Sequence, residues 1–549
     1  MNMLKKFLLA SLLVAMLTTT LTGCGTDEKI DQEEFTVKVT NLKNVRYTFP
    51  GIKENQDVNL FFDTDGYPYL DFTMILDLMK KEIKEYELIE REENVFDIIF
   101  KFDDYDLENL RLTPEQLSQV NLITFDFNND TIEFHDFMIQ NMALDESDIY
   151  KNPNPEMSNY ESYEENYKIG DRTTIDLGEY DYDLKVAKHE GEYQYLVPVE
   201  VNNLFFTLLY RHLIYNGDEL FFTRQDDLDE RKEKFHDKAV KIEVNEKNIT
   251  RNYNFLRLVF DNFYGQKAHL GLENFDNYQP LTDIYENRKN ITNANQLMRK
   301  YYEFLYSLDD SHTGPRYPGF YGEVSLPDSD AIFEMKGPKS RILQDFYWNY
   351  DKYMSHCDYQ GAIVKTYDDT SIISFSEFDY NVTTDIKGTL ERTKSSKVVM
   401  DLRCNGGGSI SEVYRIISMM SDKPIILNYG NGEANGNDSY FNHVVKFGTN
   451  NYIEKDYYLL ISPYTYSAAN ELSLYIKDNQ TATILGQTTG GGLSSVGTTA
   501  LPDGTIIRFS SRYSIYNKDF KLVEKGTEPD IFIEDFWNDQ LIVDTINAQ

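Results

Sequence analysis

The sequence predicts an α/β fold for the C-terminal part of the chain, from about Gly361 to the end, behind a helical stretch and β-rich α+β segments. Three observations predict it. Two apolar strands break sharply into helices, at VVMDLRCNGGGSISEV (398–413) and YYLLISPYTYSAANELSLY (457–475). Strand-like and helix-like patterns alternate from GAIVKTY (361–367) onward, and short β-type runs dominate residues from about 35 to 240.

Taken in order, the chain opens with Lys5 and Lys6, an apolar run, and Leu21-Thr22-Gly23-Cys24. The run is too short for a comfortable membrane span, so residues 1–23 read as a secretory signal. Its end resembles the lipobox of bacterial lipoproteins, whose cysteine is lipidated and becomes the first mature residue. That resemblance implies a lipid on Cys24, a short acidic tether over 24–34, and a place on the outer face of a bacterial cell membrane.

Residues 35–145 and 172–240 read as two small α+β modules. FTVKVT, VNLFFD, DIIFKF, LITFDF and ELFFTR are their clearest strand candidates. Gly66-Tyr67-Pro68-Tyr69-Leu70 and its sequel match Glu192-Tyr193-Gln194-Tyr195-Leu196 and its sequel at a separation of 126 residues. Each copy predicts a strand, a short helix and a two-strand hairpin. Between them, 146–171 is polar, with Pro and Asn, and reads as an exposed loop. The 3–4 apolar spacing of NFLRLVFDNFYG, LTDIYENR and NANQLMRKYYEFLYSLDD predicts a helical bundle over 245–315. The last domain, 316–549, continues with strands GAIVKTY and SIISFSEF, a helix at TTDIKGTLERTK, the two strand–helix breaks, ATILGQ, and a hairpin at Leu501-Pro502-Asp503-Gly504.

Composition excludes some functions. The net charge of −37 leaves no basic stripe for nucleic acid, and 41% hydrophobic residues are too many for a disordered chain. Cysteine is sparse. After Cys24 only Cys357 and Cys404 remain, and both are expected to be free thiols. No His or Cys spacing suits zinc, so neither metal nor cofactor is expected.

The two breaks carry the chemistry. Ser467 stands where a strand ends and a helix begins, with bare backbone N–H groups ahead of it. Gly406, Gly407 and Gly408 let a second backbone turn approach a ligand closely. A nucleophile and an anion-binding turn are the two halves of an acyl-transfer site.

The ordered set LDDSHT (308–313), VVMDLRCNGGG (398–408), YSAANELS (466–473), ILGQTTGGG (484–492), LPDGT (501–505) and EKGTEPDI (524–531) resembles the tail-specific, or C-terminal processing, protease family. It is closer to the branch of the tricorn core protease and the interphotoreceptor retinoid-binding protein. The resemblance implies a crotonase-like ββα protease core acting on extended polypeptide, and some relatives assemble into oligomers through this core. In the processing branch a lysine about 25 residues beyond the serine is the general base. Here the matching stretch is Thr488-Thr489-Gly490-Gly491-Gly492, without a lysine, and Lys477 is too near in sequence to replace it. The tricorn-like branch uses a histidine, which matches Ser311-His312. The segment between His312 and Asp401 is also too short for the family's tail-binding PDZ domain beside its own strands.

The roles follow. Ser467 is the expected nucleophile, although a helix N-cap serine would look the same in sequence. His312 is the expected base and then acid, and Ser311 would touch the imidazole or the substrate. Tricorn-like members orient the histidine with a glutamate near the C-terminal Pro-Asp-Ile; Glu524 is preferred here over Glu528. The oxyanion hole is expected from the N–H groups of Gly407, Gly408 and Ala468, with Asp401 and Arg403 bracing the turn. Two other readings stand beside the peptidase: a catalytically inactive binding protein on the same fold, and a surface scaffold acting through its N-terminal modules.

Overall fold

Both strand–helix breaks fall at the C-terminal ends of adjacent central strands of one six-stranded sheet. Its order is Ile363–Tyr367, Thr370–Ser374, Lys397–Asp401, Asp456–Ile461, Thr483–Gly486 and Ile531–Phe532. Its first pairing is antiparallel and the others are parallel. Parallel neighbours require crossovers, and the helices Tyr380–Arg392 and Ala468–Asn479 supply two of them. On one face Ile373, Val398, Met400, Leu459 and Ile461 form a core with the helices Ile410–Met420 and Ala468–Asn479. On the other, Val399, Leu460 and Leu485 meet the C-terminal helix Asp539–Asn547. Burial on both faces explains why these strands are continuous apolar runs instead of alternating ones.

The computed structural model describes residues 35–44, 55–79, 83–102, 112–137, 160–206, 211–224, 242–320, 324–348, 361–430, 440–447 and 451–549. The signal-like segment, the tether with Cys24, and Cys357 lie outside them.

A second sheet runs Gly314–Tyr317, Ile506–Tyr516, Ile425–Gly430, Tyr440–Phe447 and Tyr160–Lys168, with Ser494–Ala500 also paired to the 506–516 strand. Its last member corrects the sequence reading of 146–171 as a loop. Tyr160–Lys168 is a strand paired antiparallel with Tyr440–Phe447. Edge strands carry charge readily, so the acidic run YESYEENYK masked its tyrosine-rich strand pattern.

The two repeat copies form the elements expected of them, but they are interleaved. Their first strands, Pro68–Asp71 and Glu192–Pro198, pair with each other, Leu70 opposite Val197. Short helices follow at Phe72–Met79 and Val199–Asn202. The hairpins then part: Tyr86–Glu92 and Val95–Phe100 enter a five-stranded sheet, while Arg211–Tyr215 and Leu220–Arg224 close a seven-stranded one. Strands of both segments therefore share one sheet.

Helices Glu246–Asn262, Gln279–Glu286 and Ala294–Ser307 occupy the stretch with 3–4 spacing. The side chains of Asn245 and Asn293 cap the first and third by accepting from the N–H groups of Asn248 and Gln296. Their buried faces, including Phe255, Val259, Phe260 and Phe304, share a core with Ile507 and Phe509 of the second sheet.

At the end of the central parallel strand, Asp401 and Arg403 are buried together. The guanidinium donates to both Asp401 oxygens at 2.9 and 2.7 Å, to Asp539 Oδ1 at 2.9 Å and to the Phe536 carbonyl at 2.8 Å. The bracing role expected of this pair is met, and it extends to the C-terminal helix. Arg403→Ala leaves Asp401 buried without its cation, while Asp539 keeps Lys365 at 3.1 Å, so it is expected to lower stability by about 3–5 kcal/mol, read as a shift in the denaturant midpoint. Cys404, next in sequence, is disulfide-bonded, contrary to the expectation of a free thiol; its partner lies outside the described residues. The glycines that suggested a free thiol begin two residues later, and Cys404 itself packs with Phe346.

Candidate active site

Hydrogen bonds join the two breaks to each other. Thr465 Oγ1 donates to the Leu402 carbonyl and Ser462 Oγ to the Arg403 carbonyl, each at 2.7 Å, and the Tyr466 N–H reaches the Asn405 carbonyl at 3.1 Å. Ser467 is thereby fixed at φ 57°, ψ −126°, a left-handed conformation that is strained for any residue but glycine. Its N–H donates to the Gly491 carbonyl at 2.9 Å. Ser467 precedes the helix Ala468–Asn479, yet its hydroxyl makes no capping bond. Ser467 Oγ instead lies 3.1 Å from His312 Nε2. The capping explanation of this serine therefore fails, and residues 155 positions apart meet as a nucleophile and a base would.

His312 follows the helix Ala294–Ser307 through a tight turn in which Asp309 has φ 52°. Asp310 holds that turn. Its Oδ1 accepts the His312 N–H at 2.9 Å, and its Oδ2 accepts Thr313 Oγ1 at 2.6 Å and the Tyr264 hydroxyl at 3.3 Å. The Tyr466 ring meets the imidazole edge to face, centroids 4.9 Å apart. Burial pushes the His312 pKa down to about 4, with Arg508 and Lys339 also lowering it and Asp310 and the Ser494 backbone opposing. The ring is thus uncharged at neutral pH, as a base must be. Among the described residues no hydrogen bond joins its buried Nδ1 to Glu524; the Ser494 backbone is the group on that side that favours the protonated ring.

Of the two candidate carboxylates, Glu524 is buried and Glu528 exposed. Glu524 Oε2 accepts the Leu493 N–H at 2.8 Å, while Oε1 is buried and unbonded, with Lys339 Nζ 3.8 Å away. Burial raises its pKa to about 7 against the pull of Lys339. Ser311 donates its hydroxyl to Ser340 Oγ at 3.2 Å, and its carbonyl accepts Arg508 Nη2 at 3.0 Å.

Gly407 and Gly408 have φ 113° and 138°. A Cβ on Gly407 would stand 2.8 Å from the Ser467 Cβ, and one on Gly408 2.5 Å from the Phe378 carbonyl oxygen. Gly407 is required by its approach to Ser467 and Gly408 by its approach to Phe378. The donor role expected of Gly407 is corrected: its N–H is taken by Asn405 Oδ1 at 2.9 Å, because the turn closes on the asparagine side chain. Among the described residues no hydrogen bond occupies the N–H of Gly408 or Ala468. Two donors therefore remain beside Ser467.

The stretch that carries a lysine in the processing branch is glycine here for a visible reason. A Cβ on Gly492 would lie 2.6 Å from the Tyr466 ring, and one on Gly491 would collide with the Glu524 carbonyl oxygen. The position that aligns with the lysine is Gly491, where the Glu524 carbonyl oxygen and Lys339 Nζ leave no room for a side chain. Lys477 pairs with Asp530, farther along the Ser467 helix. Asp310, Asn405, Tyr466 and Lys339 were not singled out from sequence. Only Asp310 left a signal, an aspartate two residues before a histidine, positioned to bond that residue's N–H.

Residues 369–533 match the model of peptidase family S41; this range takes in Gly407, Gly408, Ser467 and Glu524 but not His312. None of the curated proteins matches the chain. Among solved structures, a peptidase-class protein from Parabacteroides merdae ATCC 43184 is similar at 21% identity and TM-score 0.41, covering 55% of this chain and 96% of that one. Mature CPAF is similar at 10% identity and TM-score 0.41, over 52% and 92% of the two chains. The tricorn protease is similar at 12% identity and TM-score 0.33, over 84% of this chain and 46% of its own. The family match and the order of motifs identify residues 369–533 as a domain of peptidase family S41, the family of tail-specific proteases.

Proposed function

We propose that the protein is a membrane-anchored extracytoplasmic serine peptidase with a crotonase-like core and a histidine base. The observation that carries this reading is the 3.1 Å approach of His312 Nε2 to a Ser467 hydroxyl held in a strained turn and free of any capping bond. His312 takes the Ser467 proton as Oγ attacks a peptide carbonyl, forming a tetrahedral adduct. The N–H groups of Gly408 and Ala468 receive the oxyanion; losing one such donor typically costs about 100- to 1,000-fold in turnover. His312 then returns the proton to the leaving amine. Water, deprotonated by the same ring, releases the acyl group and restores the serine. Glu524 stabilises the imidazolium as the charge develops. Lipid on Cys24 holds the chain to the outer face of the cell membrane, and the substrate is polypeptide.

A fluorophosphonate probe followed by mass mapping tests the reading. Labelling on Ser467 that fades in His312→Ala is the expected result. Folded protein that stays unlabelled from about pH 6 to 9 would overturn it in favour of a binding protein on the same scaffold.

A further inference from the structure

Beside the Ser467 centre, two half-buried cations lie within reach of each other's charge. Arg508 sits in the strand Ile506–Tyr516, opposite Gly314 in register. Its Nη2 donates at 3.0 Å to the Ser311 carbonyl, on the peptide bond that joins Ser311 to His312. Among the described residues no acceptor meets its Nε or Nη1, and both atoms reach solvent. Lys336 closes the helix Ser329–Met335. Its Nζ donates to Gln344 Oε1 at 2.8 Å and stands 4.8 Å from the centroid of the Tyr306 ring. One bond to an acceptor leaves the other ammonium N–H groups unspent.

Neither cation has an ion pair among the described residues. In this chain that is unexpected, because 91 Asp and Glu face 54 Lys and Arg. Arg403 draws on the surplus through Asp401 and Asp539, Arg251 through Glu200, and Arg415 through Glu412. Two like charges held close without a counter-ion disfavour each other. Burial and the Arg508 charge push the Lys336 pKa down to about 8, and burial together with Arg316 pulls Arg508 below its usual value. The carboxylates on the adjoining turn are spent elsewhere. Asp310 accepts from the His312 N–H, Thr313 and Tyr264, and Asp309 from the Lys339 and Ser340 N–H groups. An anion arriving from solvent would complete the pair. Arg508 is fastened to the peptide bond of the base, and its charge is felt at His312 and at Tyr466, so that anion would lie beside the bond being cut.

Resting on the reading of Ser467 as a peptidase nucleophile, we propose that Arg508 and Lys336 set substrate preference by receiving the side-chain carboxylate of an Asp or Glu close to the scissile bond. Charged N–H donors from two elements then meet one carboxylate, the stronger kind of hydrogen bond.

Digestion of a random decapeptide library by the full-length protein, with Ser467→Ala as the blank and the cuts read by mass spectrometry, tests it. One library carries amidated C-termini, which leaves side chains as the only carboxylates, and a second carries free ones. The expected result is enrichment of Asp and Glu in the amidated library at a fixed position within about three residues of the cut, the reach of roughly 10 Å of extended chain. In one such peptide, replacing that Glu by Gln is expected to lower kcat/KM at least about tenfold. Lys336→Met is expected to shrink this Glu-to-Gln ratio at least about threefold, and Lys336→Arg to keep it. A merely structural role would slow both peptides alike and leave the ratio unchanged. The proposal is overturned, with the peptidase reading intact, by cuts without acidic enrichment, by a ratio unchanged in Lys336→Met, or by cleavage confined to the free-terminus library. If neither library is cut, the peptidase reading itself falls and the proposal falls with it.

Discussion

Ser467→Gly is expected to abolish hydrolysis and to leave the protein more stable than Ser467→Ala does. Both variants remove the hydroxyl 3.1 Å from His312 Nε2, so kcat falls by about 10⁴- to 10⁶-fold in each, to the residual rate that donors and binding sustain alone. Their stabilities differ for a reason unrelated to catalysis. At φ 57° any side chain crowds the backbone, at about 1–2 kcal/mol for a residue with a Cβ, and glycine does not. Against this, glycine gives up about 0.5–1 kcal/mol of unfolded-state entropy relative to alanine where the conformation suits both. Here it suits glycine alone, so the strain term decides. Thermal melts of the pair measure the strain directly. Equal melting temperatures would mean that the turn stores none, and Ser467 would then be an ordinary helix start. A more stable, inactive glycine variant would show that the fold holds its nucleophile at a cost in stability.

The parts legible in the sequence were those with local causes. The apolar runs at 398–400 and 457–461 are central strands because residues on both faces are buried. Gly407 and Gly408 could be placed beside a reacting group because only a missing Cβ permits such an approach. The pairing of Ser467 with His312 was legible only through the order of motifs, since no local rule joins residues so far apart in sequence. Other features depended on tertiary context. That the Gly407 N–H is spent on Asn405 follows from how the turn closes. That the lysine is absent at Gly491 follows from the Glu524 carbonyl oxygen against it. The strand Tyr160–Lys168 owes its conformation to a partner almost three hundred residues later, which outweighs its loop-like composition. The interleaving of the repeat copies in one sheet is likewise a matter of pairing between distant strands.

Glu524→Gln is expected to lower kcat/KM by about 10²- to 10⁴-fold at pH 8 and to move its acid limb downward. In the wild type His312, held down to about 4 by burial, is uncharged throughout the range above pH 5. Glu524, raised to about 7 by its own burial, is still largely protonated at pH 6. A protonated Glu524 contributes no charge to offset the imidazolium formed in the transition state. Activity should therefore rise through about pH 7 as the carboxylate ionises, even though the base has been ready since much lower pH. Glutamine cannot ionise. With it the limb should fall towards the His312 value near 4, over a much lower plateau, because the step then waits only on the imidazole. Lys339 supplies an independent check of sign. Its ammonium lowers the pKa of Glu524 and of His312 alike, so Lys339→Met should move the wild-type limb to higher pH. A limb that stays near pH 7 in Glu524→Gln would assign that ionisation to another group and leave His312 without a carboxylate partner at this position.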